Sequence, residues 1–118
     1  MALRKFLKSF GYAAAGVAYS LRTQRNMRVH FAAALLALAL ALYFQISARD
    51  LVPVLFAVTL VIMAEMINTA IEAVVDLYVQ TEHPLARIAK DVAAGAVLVA
   101  ALNSIAVAIV VFYPYLAR

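Results

Sequence analysis

The chain has 118 residues, 68% of them apolar, a net charge of +4 and a mean hydropathy of +0.98. Soluble domains run at about 45–50% apolar residues, and small ones bury the smallest share of their surface. A water-soluble globule is therefore excluded, and lipid must supply the missing burial. The absence of cysteine also excludes disulfides, thiolate metal sites and cysteine nucleophiles. Charge is unevenly spread: Arg4, Lys5, Lys8, Arg22, Arg25 and Arg28 all precede the first acid, Asp50. A basic segment can bind nucleic acid, but beside long apolar runs it points to anionic lipid headgroups instead.

Residues 1–28 place Leu3, Phe6, Leu7 and Phe10 at helical spacing, with Val17 and Leu21 prolonging the stripe. Arg4, Lys5 and Lys8 fall on the other side, the pattern of a helix lying in the membrane surface. A signal peptide is disfavoured because the stretch is rich in Ala and Gly and a cationic cluster follows it at once.

Three apolar spans come next. The first, 29–48, holds no formal charge between Arg28 and Arg49, and its 20 residues suffice to cross a bilayer. A near-hairpin connection around Ser47–Asp50 leads into the second, 51–78, with Pro53 expected in its first turn. The third rests on the apolar run Val92–Ala117, between Asp91 and Arg118, and its helix is expected over 88–113. Pro84 suits its start, Thr81 or His83 could cap it, and Pro114 is expected to end it. The fold class is an all-α integral membrane protein, with an N-terminal amphipathic surface helix and three transmembrane helices in one domain. Eight cations (six before residue 29, then Arg87 and Lys90) share one side, against Arg49 and Arg118 on the other. That excess puts the N-terminus and the second loop in the cytoplasm.

The second span carries the chemistry. Glu65, Asn68, Glu72 and Asp76 are spaced by three, four and four, so they fall within an arc of about 80° on one helix face. Ile67, Ala70, Ile71, Ala73, Val74 and Val75 stand between them and suit lipid or neighbouring helices. A carboxylate at mid-membrane costs about 2.5–3.5 kcal/mol even on generous scales. Glu65 lies about 10 Å deeper than Glu72 along the axis, where a carboxylate is suited to take a proton as general base. Asn68 and Thr69 alone could simply bond helices together in an oligomer. The three acids together favour a functional site.

A second cluster, Glu82, His83, Arg87, Lys90 and Asp91, lies at the surface end of this face. Lys90 could neutralise phosphate, or merely pair with Glu72 or Asp76; His83 and His30 have no evident ligand role. Glycine occurs only at 11, 16 and 95, so neither a P-loop nor a kinase glycine-rich loop can be written. A bound nucleotide would need carboxylate-held metal and cationic side chains.

The run from Glu65 through Asp76, followed by His83-Pro84-Leu-Ala-Arg-Ile-Ala-Lys90-Asp91, resembles the prokaryotic diacylglycerol kinase family. Arg25-Asn26-Met27-Arg28-Val29-His30 is more similar to its undecaprenol kinase branch. The resemblance implies an ATP- and Mg2+-dependent lipid kinase in the bacterial inner membrane, a homotrimer with active sites at the cytoplasmic subunit interface. It implies Glu65 as catalytic base, Glu72 as metal ligand, and Tyr12, Asn68, Glu72, Lys90 and Asp91 at the nucleotide. Undecaprenol is the expected lipid alcohol, with diacylglycerol as the alternative. One departure stands out: Gln24 occupies the place of a metal-binding glutamate, so the metal would lean on Glu72, Asp76 and the phosphates. Two other classes compete with the kinase: a small proton- or cation-coupled oligomeric transporter, and an adaptor that only binds partner helices.

Overall fold

Backbone groups in hydrocarbon have no water to bond, so apolar runs of this length close their hydrogen bonds within one helix. The computed structural model describes Met1–Arg118 and contains four helices and no strand. They are α1 (Ala2–Thr23), α2 (Arg25–Phe44), α3 (Ala48–Tyr78) and α4 (Pro84–Leu116). The last three are long and apolar enough to cross a membrane. α3 packs against α4, α2 against α3, and α1 meets the beginning of α2 and reaches α3. The molecule measures 55 × 44 × 21 Å, so its thinnest dimension is about two helix diameters. Only 13 of 118 residues are buried, so the single chain leaves most of its apolar surface to lipid or to other chains.

Several boundaries differ from the expected ones. The surface helix stops at Thr23, and Arg25–Arg28 belong to α2 rather than to the surface segment. The corner is Gln24, in extended conformation (φ −110°, ψ 113°). Arg28 holds it: one guanidinium nitrogen donates to the carbonyls of Leu21 and Arg22, each at 3.0 Å. A cation there satisfies the free carbonyls and offsets the negative end of the α1 dipole.

α2 closes at Gln45, a non-glycine residue in the left-handed region (φ 51°). α3 begins at Ala48, three residues earlier than expected, with the Ser47 hydroxyl accepting from the Asp50 N–H at 3.2 Å. Pro53 consequently lies inside α3, beyond its first turn. Pro114 does not end α4, which continues to Leu116. At both prolines the helix gives up one hydrogen bond and continues, since stopping in lipid would expose many more. α4 starts at Pro84 rather than 88, and of the two expected caps it is His83 whose Nδ1 accepts from the Leu85 N–H, at 3.1 Å.

At 31 and 33 residues, α3 and α4 are about 45–50 Å long, against roughly 30 Å of hydrocarbon. Their uncharged parts overlap, and the Glu65–Asp76 stretch of α3 and the Pro84–Asp91 stretch of α4 extend together at one end. At the opposite end Ala41, Val54, Val111 and Phe112 form the one buried apolar cluster, flanked by Phe44 and Leu51.

Candidate active site

α3 runs without interruption through Glu65, Asn68, Glu72 and Asp76, so their spacing does place them on one face. Glu65 is the most deeply covered member, at 1% exposure, and Asn68 and Thr69 are also buried. Thr69 uses its hydroxyl on the Glu65 carbonyl, 2.9 Å away within the same helix. The Asn68 amide nitrogen donates to Glu72 Oε1 at 3.4 Å, which ties the second turn of the face to the first. Two buried oxygens are left without any hydrogen-bond partner: Glu65 Oε2 and Asn68 Oδ1. Buried polar atoms are nearly always bonded, so two orphans on adjacent turns mark a place built for something else.

α2 approaches the site from the other side through His30. Met27 is wholly buried and Ser20 nearly so, its hydroxyl turned back to the Gly16 carbonyl at 3.1 Å. One turn beyond Met27, His30 directs Nε2 toward Glu65 Oε2 at 3.9 Å, too far for a hydrogen bond. His30 also heads a groove of about 220 Å³ between α2, α3 and α4, walled mainly by alanine and valine.

Farther along, Lys90 Nζ donates to Asp76 Oδ1 at 2.6 Å and ties α4 to α3. Of the two roles open to Lys90 from the sequence, pairing with Asp76 is the one adopted here. Asp91 turns to Arg87 on its own helix, 3.6 Å apart and well exposed on both sides, a contact of little energetic weight. An open cleft lined by Asp76, Gln80, Glu82, His83, Lys90 and Asp91, among others, lies between the α3–α4 loop and the start of α4. Tyr12 stands exposed on α1, and the Gln24 amide donates only to Thr23 Oγ1, at 3.3 Å. The structure thus bonds Asn68 to Glu72, sets Glu65 one turn before them on the same face, and brings Lys90 to Asp76. It does not bring Tyr12, Gln24 or Asp91 into contact with them.

No three acidic, histidine or cysteine side chains converge to cage a metal ion. A hard divalent cation that travels on nucleotide phosphates needs only one or two carboxylates from the protein. Glu72, with the orphan Asn68 oxygen beside it and Asp76 a turn away, fits that lesser demand. Two features had no reading in the sequence: the approach of His30 to Glu65, and the clamp made by Arg28. Both depend on how separate helices meet, although a histidine inside an apolar run was a signal for the first.

Known proteins resemble this chain over most of its length. Residues 11–112 match the sequence profile described as prokaryotic diacylglycerol kinase. The diacylglycerol kinase of Synechocystis is 45% identical over 102 residues, covering 86% of this chain and 58% of that longer relative. The undecaprenol kinase of Bacillus subtilis is 39% identical over 114 residues, covering 97% of this chain and 93% of the relative. The diacylglycerol kinase of Escherichia coli is 33% identical over 101 residues, covering 86% and 83%. With an acidic face that begins at the buried Glu65 on a membrane helix, and a matching profile over most of its length, the chain belongs to the prokaryotic diacylglycerol kinase family, a family of lipid kinases.

Proposed function

We propose that the protein transfers the γ-phosphoryl group of ATP to the hydroxyl of a membrane lipid alcohol, with undecaprenol as the preferred substrate. The observation that carries this reading is the buried, unpartnered Glu65 Oε2, 3.9 Å from the His30 that heads an apolar groove and on the same helix face as Glu72. Glu65 takes the proton of the lipid hydroxyl as its oxygen bonds to the γ-phosphorus. The bond from that phosphorus to the bridging oxygen breaks, and ADP leaves. Phosphoryl transfer of this kind depends mainly on positioning and on stabilising charge.

Glu72, with Asp76, would hold Mg2+ on the phosphates, and the ion supplies neutralisation of phosphate charge when bound. Asn68 lies beside Glu72 and orders its carboxylate. Lys90 exchanges Asp76 for a phosphate oxygen when nucleotide enters. Asp91 and Tyr12 line the nucleotide from α4 and α1, and Gln24 contributes a neutral oxygen at most. The cationic excess at this end supports a cytoplasmic site in the bacterial inner membrane. The resemblance to the family supports a homotrimer whose subunits complete one another's sites, and the exposed apolar surface leaves room for such contacts. Undecaprenol is favoured because the Arg25–His30 segment resembles that branch and the Bacillus subtilis relative aligns nearly end to end. The Synechocystis relative makes diacylglycerol the alternative.

The test is a transfer assay with labelled ATP, offering undecaprenol and diacylglycerol in parallel to the folded protein with ample Mg2+. Label is expected in both lipid pools at most, and in undecaprenol first. Label in neither would sink the kinase reading.

A further inference from the structure

Glu65 Oε2 is buried with no hydrogen-bond partner, and His30 Nε2 faces it at 3.9 Å. A committed ion pair would close to about 2.7–2.9 Å, and this one has not closed. An oxygen about 2.8 Å from both atoms would sit about 2 Å to one side of the line joining them, so the covered Glu65 carboxylate has to turn toward the groove to receive it. The hydrocarbon attached to such an oxygen has a place to go. His30 heads the groove whose walls include Ala34 and Ala37 of α2, Ala57 and Val61 of α3 and Phe112 of α4, and it runs away from the acidic end into the apolar part of the bundle. At about 220 Å³ it is smaller than the roughly 300–1,000 Å³ of sites that enclose whole drug-sized ligands. It accommodates a short length of chain.

We infer that His30 is a substrate-positioning residue: its Nε2–H donates to the lipid alcohol oxygen while the hydroxyl donates to Glu65 Oε2, and the hydrocarbon next to the hydroxyl lies in the α2–α3–α4 groove. This rests on the reading of Glu65 as the base. During transfer the O–H bond breaks and its proton stays on Glu65 Oε2. The freed oxygen pair forms the bond to phosphorus, and the bond to the ADP oxygen breaks. His30 neither gains nor loses a proton. It keeps the nucleophile aimed, and Met27, buried one turn before it, helps to exclude water from the gap.

The test uses full-length protein in lipid, with undecaprenol and dioleoylglycerol each varied at saturating ATP, and ATP then varied at saturating lipid. His30→Ala is expected to raise the KM for lipid about tenfold and to leave the KM for ATP unchanged. His30→Gln, which keeps an N–H donor at similar reach, is expected to recover most of the loss. An unchanged lipid KM in His30→Ala, or a His30→Gln as defective as His30→Ala, overturns the role of His30. Ala57→Phe, which fills the groove, is expected to raise the lipid KM alone, and an unchanged value overturns the groove assignment. Should His30→Ala not fold, wild-type protein labelled with 15N-histidine in phosphatidylcholine bilayers supplies the answer. The His30 Nε2 resonance is expected to move on adding undecaprenol while those of His83 stay, and a His30 signal indifferent to saturating lipid overturns the inference. Glu65→Gln separates the two levels: an active variant removes the base itself, whereas an inactive one beside an unperturbed His30→Ala removes only the positioning role.

Discussion

The two ends of α3 treat polar groups in opposite ways. At the Ser47 end every polar side chain that the fold uses has a partner. The Ser47 hydroxyl caps the helix, and the Tyr115 hydroxyl donates to Asp50 Oδ2 at 2.7 Å. The Arg118 guanidinium lies over the Tyr115 ring at 4.5 Å, and Phe44 packs near Tyr115 and Phe112. At the Glu65 end two buried oxygens are orphaned, a histidine stops short of a carboxylate, and an open cleft separates the tips of the helices. One end is closed by its own chemistry, and the other leaves bonding capacity for ligands. Substitutions at the two ends should therefore fail in different assays.

The largest effect is expected from Glu65→Gln. It removes the proposed proton acceptor and should lower kcat by about 10²–10⁴-fold, with helix content by circular dichroism unchanged. Near wild-type turnover would erase the contrast between the ends. Tyr115→Phe tests the opposite end, where loss of a bond to a carboxylate should cost about 2 kcal/mol of stability in detergent-induced unfolding. Turnover per folded molecule should be unaltered, and a loss of specific activity without destabilisation would contradict the division. Gln24→Glu adds a carboxylate at the corner of α1 and α2, the position where the family resemblance expects one, and should lower the Mg2+ needed for half-maximal activity by on the order of tenfold. An unchanged requirement would remove Gln24 from the metal's surroundings. Lys90→Gln should be nearly silent in stability, within about 1 kcal/mol, because the Lys90–Asp76 pair is largely exposed. The KM for ATP should nevertheless rise, and an unaltered KM would leave Lys90 as a structural tie alone.

The acidic face was legible because polar residues inside an apolar run are rare and their 3–4–4 spacing needs no partner helix to interpret. Helix limits were less so. Pro53 and Pro114 punctuate chains in water, but both are tolerated within helices here, because ending a helix in hydrocarbon strands more backbone groups than one proline removes. The corner at Gln24 carries neither glycine nor proline. It is fixed by Arg28 reaching back six and seven residues to the end of α1, a bond that periodicity cannot reveal. The meeting of His30 with Glu65 depends on the relative height and rotation of α2 and α3, and a pattern within either helix is blind to both.

The thinness of the molecule has a consequence for how it is held together. A soluble domain keeps its apolar interior with it wherever it goes, and its surroundings mainly tune the surface. This chain is only about two helix diameters deep, with few residues hidden from its environment, so the surrounding hydrocarbon is a structural component. Membrane thickness then acts on the tilt and spacing of α2, α3 and α4 directly, and through them on the gap between His30 and Glu65. Lipid is at once the medium, the substrate reservoir and most of the interior, and exchanging it for detergent amounts to replacing part of the fold.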